Sequence, residues 1–129
     1  RWPARLQKLA AGPLTGAKHV WIDGAHNPAA ARVLADELAA HPRHLVIGIL
    51  TNKDADGIIA PLATHALSTT FIAVPNHDSH DPAVLAERWI GRAADSLVAA
   101  LAAIDDNILI VGSLYLAGEA LRLNGEMPD

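Results

Sequence analysis

The chain has 129 residues, the size of one domain with room for a real core, and its apolar share of 51% with only 4% aromatics points to an aliphatic core. A net charge of −4 with scattered Lys and Arg argues against nucleic acid as a partner, and the lack of cysteine excludes disulfides and thiolate chemistry. No apolar run is long enough to cross a bilayer, so a cytoplasmic domain without a membrane partner is expected.

A short strand is expected within residues 5–9, before the Gly12-Pro13 turn and a loop to Ala17. Residues 19–22 read as a buried strand closed by Asp23-Gly24. Residues 29–40 read as a helix, with Pro28 suited to its first turn and Val33, Leu34 and Leu38 on its apolar side. His41-Pro42 stops it. A second buried strand over 45–50 leads through a turn at 51–54 into a helix over 55–65. The β-branched stretch 68–74 is a third strand, ended by Pro75, and Asp81-Pro82 opens a helix reaching about Ile90. Gly91 interrupts, and the alanine-rich segment 93–104 resumes as helix. A fourth buried strand, 108–111, precedes a last helix over 114–123 that ends at Asn124-Gly125; the tail from Glu126 has no expected structure.

Strands that are continuously apolar, alternating with helices, indicate a parallel sheet covered on both faces. The expected fold is α/β, a doubly wound, mostly parallel sheet of about five strands, formed by residues 1–129 as one domain. In such sheets ligands bind beyond the carboxyl ends of the strands. Three polar loops fall at that edge: 23–27, 51–54 and Gly112-Ser113.

Familiar phosphate-gripping patterns are missing. The stretch GPLTGAKH lacks the G-x-x-x-x-G-K-[ST] spacing, and DGAHNP is not G-x-G-x-x-G. Asp23, at a strand end, suits ribose hydroxyls, and His26 and Asn27 stand beside a helix N-terminus that attracts anions. On spacing alone, Asp23 and Asn27 are better accounted for as caps of the turn and helix. Lys53 offers a point charge for a carboxylate or phosphate, or is simply an exposed loop lysine. Ser113 either binds an anion or caps the last helix, and its G-S-L context lacks the G-x-S-x-G elbow of a nucleophile. The cluster His77-Asp78-Ser79-His80-Asp81 has no metal-binding spacing and reads as a solvated loop before a helix cap, so no metal ligands are assigned.

The order W-P-A-R-L-Q, W-I-D-G-A-H-N-P, G-I-L-T-N-K-D and V-G-S-L-Y-L, spanning Trp2 to Leu116, resembles the C-terminal domain of the folylpolyglutamate and dihydrofolate synthase family, within the Mur ligase superfamily. The resemblance implies an ATP-dependent ligase that joins L-glutamate to dihydropteroate or to a folate's glutamate tail through an acyl phosphate. ATP and Mg2+ would be held mainly by an N-terminal ATPase domain absent from this chain, which is therefore expected to be inactive alone. The same resemblance assigns Arg5 to the nucleotide phosphates and Asp23 to the ribose. It turns His26 toward the phosphates and the incoming glutamate, and gives Lys53 and Ser113 to the carboxylates of that amino acid. The chain departs from the family at Ala4, where glycine is usual, in a longer interval from Arg5 to Asp23, and in a shorter region 90–97, where the family often has another strand. Two other readings stand beside this one: a Mur-type ligase domain for a cell-wall precursor, and a non-catalytic flavodoxin-like module binding a small anion or a protein.

Overall fold

Six strands and five helices follow one another through residues 5–126, which the computed structural model describes. The Trp2-Pro3-Ala4 start of the first motif and the tail from Met127 lie outside these residues. Strand β1 (Gln7–Lys8) pairs antiparallel with β2 (Val20–Asp23). Strand β6 (Ile108–Val111) lies between β2 and β3 (His44–Ile47), parallel to both. Strands β4 (Ser68–Phe71) and β5 (Arg92–Ala93) continue the parallel sheet to its far edge, for an order of β1-β2-β6-β3-β4-β5.

The uninterrupted apolar runs are explained by burial on both faces. In β6, Ile108 and Ile110 enter one core while Leu109 and Val111 enter the other; in β3, Val46 opposes Leu45 and Ile47 in the same way. Helices α1 (Pro28–Ala40), α2 (Ala55–Ala63) and α3 (Pro82–Arg88) cover the face of Leu45 and Leu109. Helices α4 (Leu97–Ala102) and α5 (Leu114–Leu123) cover the other. Right-handed crossovers produce this division. The chain advances from β2 to β3, β4 and β5 in one direction, which puts α1, α2 and α3 on one face. It then returns from the edge to the middle as β6, which puts α4 on the other, where α5 also packs.

Two sequence expectations are corrected. The helix expected over 93–104 begins only at Leu97, where Ser96 caps it by accepting the Ala99 amide at 3.1 Å. Arg92 and Ala93 instead pair with Thr70 and Phe71 as a sixth strand, because pairing at the sheet edge overrides the helix propensity of alanine. Gly91 permits the approach, since a Cβ there would lie 2.5 Å from Thr69 Oγ1. Val33, expected on the apolar side of α1, is 73% exposed; Ala31, Leu34, Ala35 and Leu38 form the buried stripe.

Gly112 makes the crossing from β6 into α5 possible. Its φ is +113°, and a Cβ would stand 2.5 Å from the Gly48 carbonyl oxygen on the neighbouring strand's extension. Gly112→Ala is therefore expected to cost about 1–3 kcal/mol through backbone strain alone. A chemical denaturation midpoint that did not fall would show that this crossing tolerates a side chain.

Candidate functional site

Three loops leave the carboxyl ends of β2, β6 and β3, and the middle one turns to the opposite face from its neighbours. This divergence opens a crevice where strand order switches, the usual ligand position in such sheets. The crevice holds a depression of about 400 Å³ lined by His26, Asn52, Lys53, Ser113 and Tyr115. Three of the five residues singled out in the sequence thus meet there.

Each is placed by a short-range hydrogen bond. His26 Nδ1 lies 2.9 Å from the Gly24 carbonyl oxygen, so the tautomer that makes this bond carries its proton on Nδ1 and leaves the lone pair on Nε2. Ser113, only 2% exposed, caps α5, its Oγ accepting from the amides of Tyr115 at 3.1 Å and Leu116 at 3.4 Å. Its hydroxyl proton stays available for donation. The Lys53 amide donates to the Leu50 carbonyl at 3.0 Å, closing the turn before Asp54, which caps α2 by accepting the Gly57 amide at 3.0 Å. Among the described residues the Lys53 ammonium has no ion-pair partner. The N-termini of α1, α2 and α5 all end at this edge and add partial positive charge to it.

Arg5 and Asp23 line a second depression, of about 500 Å³, whose wall is formed by Ala30, Val33 and Glu37 of α1. Asp23 is 7% exposed, and its Oδ1 accepts the Ala25 amide at 2.8 Å. Burial raises its carboxyl above the ordinary value; the amides of Ala25 and Leu6 and the charge of Arg5 oppose that rise without cancelling it. Residues 23–27 divide their structural tasks. Asn27 is the helix cap, accepting the Ala30 amide at 2.9 Å, while Asp23 braces the turn with one oxygen and faces the depression.

Sequence reasoning missed Tyr115, which is 52% exposed and lines the first depression, and Val33, which lines the second. The signal for Tyr115 lay in its place two residues after the capping Ser113. The helical spacing of Ala30, Val33 and Glu37 placed them on one side of α1, but nothing in the sequence says that this side is open. Among the described residues no three His, Cys, Asp or Glu side chains converge to hold a metal ion, and no helix is long and apolar enough to cross a membrane.

No family model matches the chain. It is 38% identical over 130 residues to folylpolyglutamate synthase of Lacticaseibacillus casei, a match covering 90% of this chain and 28% of that protein. A solved structure of Mycobacterium tuberculosis folylpolyglutamate synthase, complexed with ADP and AMPPCP, aligns over 100% of this chain and 34% of its own, with 33% identity and a TM-score of 0.77. The fold of Thermotoga maritima folylpolyglutamate synthase covers 97% of this chain and 31% of its own, with 23% identity and a TM-score of 0.81. The chain therefore spans about a third or less of these relatives and matches their C-terminal portion.

The raised Asp23 carboxyl yields a stability prediction. A carboxyl whose folded pKa exceeds its unfolded value, about 4, contributes stability that is present below that value and lost as pH rises through the folded one. Asn at this position keeps an acceptor for the Ala25 amide and never carries the buried charge. Asp23→Asn should therefore gain in melting temperature over the native chain between pH 4 and pH 7. A difference that stays constant across that interval would contradict the burial argument.

Proposed function

We propose that this chain is the glutamate-accepting part of an ATP-dependent amide ligase that adds L-glutamate to dihydropteroate or to the glutamate tail of a folate. The observation that carries the reading is the meeting of His26, Lys53 and Ser113, from three separate loops, in one depression, with Asp23 and Arg5 lining the next. The similarity to folylpolyglutamate synthases supports the same assignment.

In this reaction the γ-phosphoryl group of ATP passes to the acceptor's carboxylate, giving an acyl phosphate and ADP. The amine of glutamate then attacks the acyl carbon, the amide bond forms, and phosphate leaves. Arg5 meets the nucleotide phosphates, and Asp23 accepts hydrogen bonds from the ribose hydroxyls. The two carboxylates of glutamate meet the Lys53 ammonium, the Ser113 hydroxyl proton and helix N-terminal amides, a donor set suited to a dicarboxylate. The Nε2 lone pair of His26 is placed to take the proton that the incoming ammonium must lose before it can attack.

The P-loop belongs to a separate N-terminal ATPase domain in this reading. Mg2+, which would neutralise charge on the transferring phosphoryl group, is assigned to that domain too, because the described residues here offer no cluster fit for it. Closure of the two domains excludes water from the acyl phosphate. The 129-residue chain alone is accordingly inactive.

The test is phosphate release by the complete polypeptide. Release that requires ATP, L-glutamate and a pteroate or folate acceptor together is expected; ligation by this chain alone would overturn the division of labour. Asp23→Ala should weaken ATP use, and Lys53→Ala should mainly raise the KM for glutamate. Each lost contact costs about 1–3 kcal/mol, read as a change of about 5- to 150-fold. Unchanged ATP affinity and turnover in Asp23→Ala would remove the ribose role.

A further inference from the structure

The segment His77-Asp78-Ser79-His80, which reads as a solvated loop in the sequence, is tied to the turn that carries Lys53. The Thr51 amide donates to the Asp78 carbonyl at 3.1 Å, the His80 amide donates to the Ile49 carbonyl at 2.9 Å, and Leu50 and Ser79 form an antiparallel bridge. Ser79 Oγ in turn accepts the Val74 amide at 3.1 Å, anchoring the segment to the extension of β4. The half-buried His80 ring then reaches across, its Nε2–H donating to the Lys53 carbonyl at 3.0 Å. His80 thus grips the Lys53 turn at both ends, through its backbone at Ile49 and through its side chain at Lys53. At the other wall of the depression, the His77 ring stacks on Tyr115 with centroids 4.0 Å apart.

We propose that His80 is a positioning residue that aims Lys53 at the amino-acid substrate's carboxylate. The inference rests on the reading of Lys53 as that carboxylate's partner. The Lys53 carbonyl precedes the capping residue Asp54, whose own carbonyl accepts the first helical amide, from Ile58 at 3.1 Å. It therefore stands outside the ladder of α2, and His80 is the partner that orients its peptide plane. The direction of that plane fixes the root of a four-carbon side chain whose ammonium has no other anchor among the described residues. A lysine on a mobile root spreads its charge over many positions and loses rotamer and backbone freedom on binding. The effect belongs on the KM for the amino acid, not on ATP use or turnover.

The experiment measures steady-state kinetics of the complete polypeptide, varying L-glutamate and ATP separately, with thermal unfolding of each variant recorded alongside. His80→Ala is expected to raise the KM for glutamate about five- to tenfold and leave the KM for ATP within about twofold. His80→Gln, whose longer amide reaches the Lys53 carbonyl, restores most of the loss, whereas the shorter His80→Asn does not. The Asn and Gln pair carries the test if His80→Ala does not fold. Adding His80→Ala to Lys53→Ala should change nothing further, because the histidine acts through the lysine. Independent, multiplying effects of the two substitutions, or equal behaviour of the Asn and Gln variants, overturn the positioning role. A Lys53→Ala variant with native glutamate KM overturns the reading of Lys53 itself, which is a separate failure from that of His80.

Discussion

The insertion of β6 between β2 and β3 is the constraint on which both the fold and the candidate site depend. Its backbone is paired on both edges and its four side chains divide between two cores, so it cannot shift register without moving its buried set to the wrong face. The segment after β6 leaves by the opposite face from those after β2 and β3, since α5 packs with Ile108 and Ile110 while α1 and α2 pack with Leu45 and Leu109. The loops diverge and a gap opens at the carboxyl edge. Gly112 belongs to this constraint, since its left-handed backbone lets the chain pass close to Gly48 on the way into α5.

That gap collects positive potential without any cluster of basic residues. Helices α1, α2 and α5 each present an N-terminus there, capped by Asn27, Asp54 and Ser113 respectively. Capping and binding do not compete at such a terminus. Each helix leaves four amides without internal partners, and the side-chain caps satisfy one or two of them. Ser113 shows the principle within a single group: its oxygen is committed to the helix while its proton is not. The net charge of the chain is −4, so attraction of an anion must come from local dipoles and from Lys53, not from the molecule's overall field.

Much of this was legible in the sequence because continuous apolar strands and helix punctuation are local signals. Residues 108–111 and 114–123 were read with their observed bounds, and the expected α/β class and parallel sheet match the observed topology. The convergence of His26, Lys53 and Ser113 followed from a general rule about strand ends, and it needed no knowledge of strand order. What escaped the sequence depended on distant partners. The pairing of Arg92 and Ala93 is set by Thr70 and Phe71, not by local propensity, and the exposure of Val33 is set by the open space beside Asp23. The docking of 77–80 against 49–53 is likewise a contact between loops more than twenty residues apart, made largely by backbone groups that every sequence possesses.

The exposure of the edge also bears on how strongly it holds a charge. Asp23 and Ser113 are buried, but His26 and Lys53 are only half-buried and Tyr115 stands 52% exposed at the rim. Charge-assisted contacts to Lys53 on such an open surface are screened by water and salt. Covering the edge would exclude water and strengthen those contacts together. Its groups are held from within the chain: the Ser113 oxygen by the amides of α5, the His26 ring by the Gly24 carbonyl and the Lys53 carbonyl by the His80 ring.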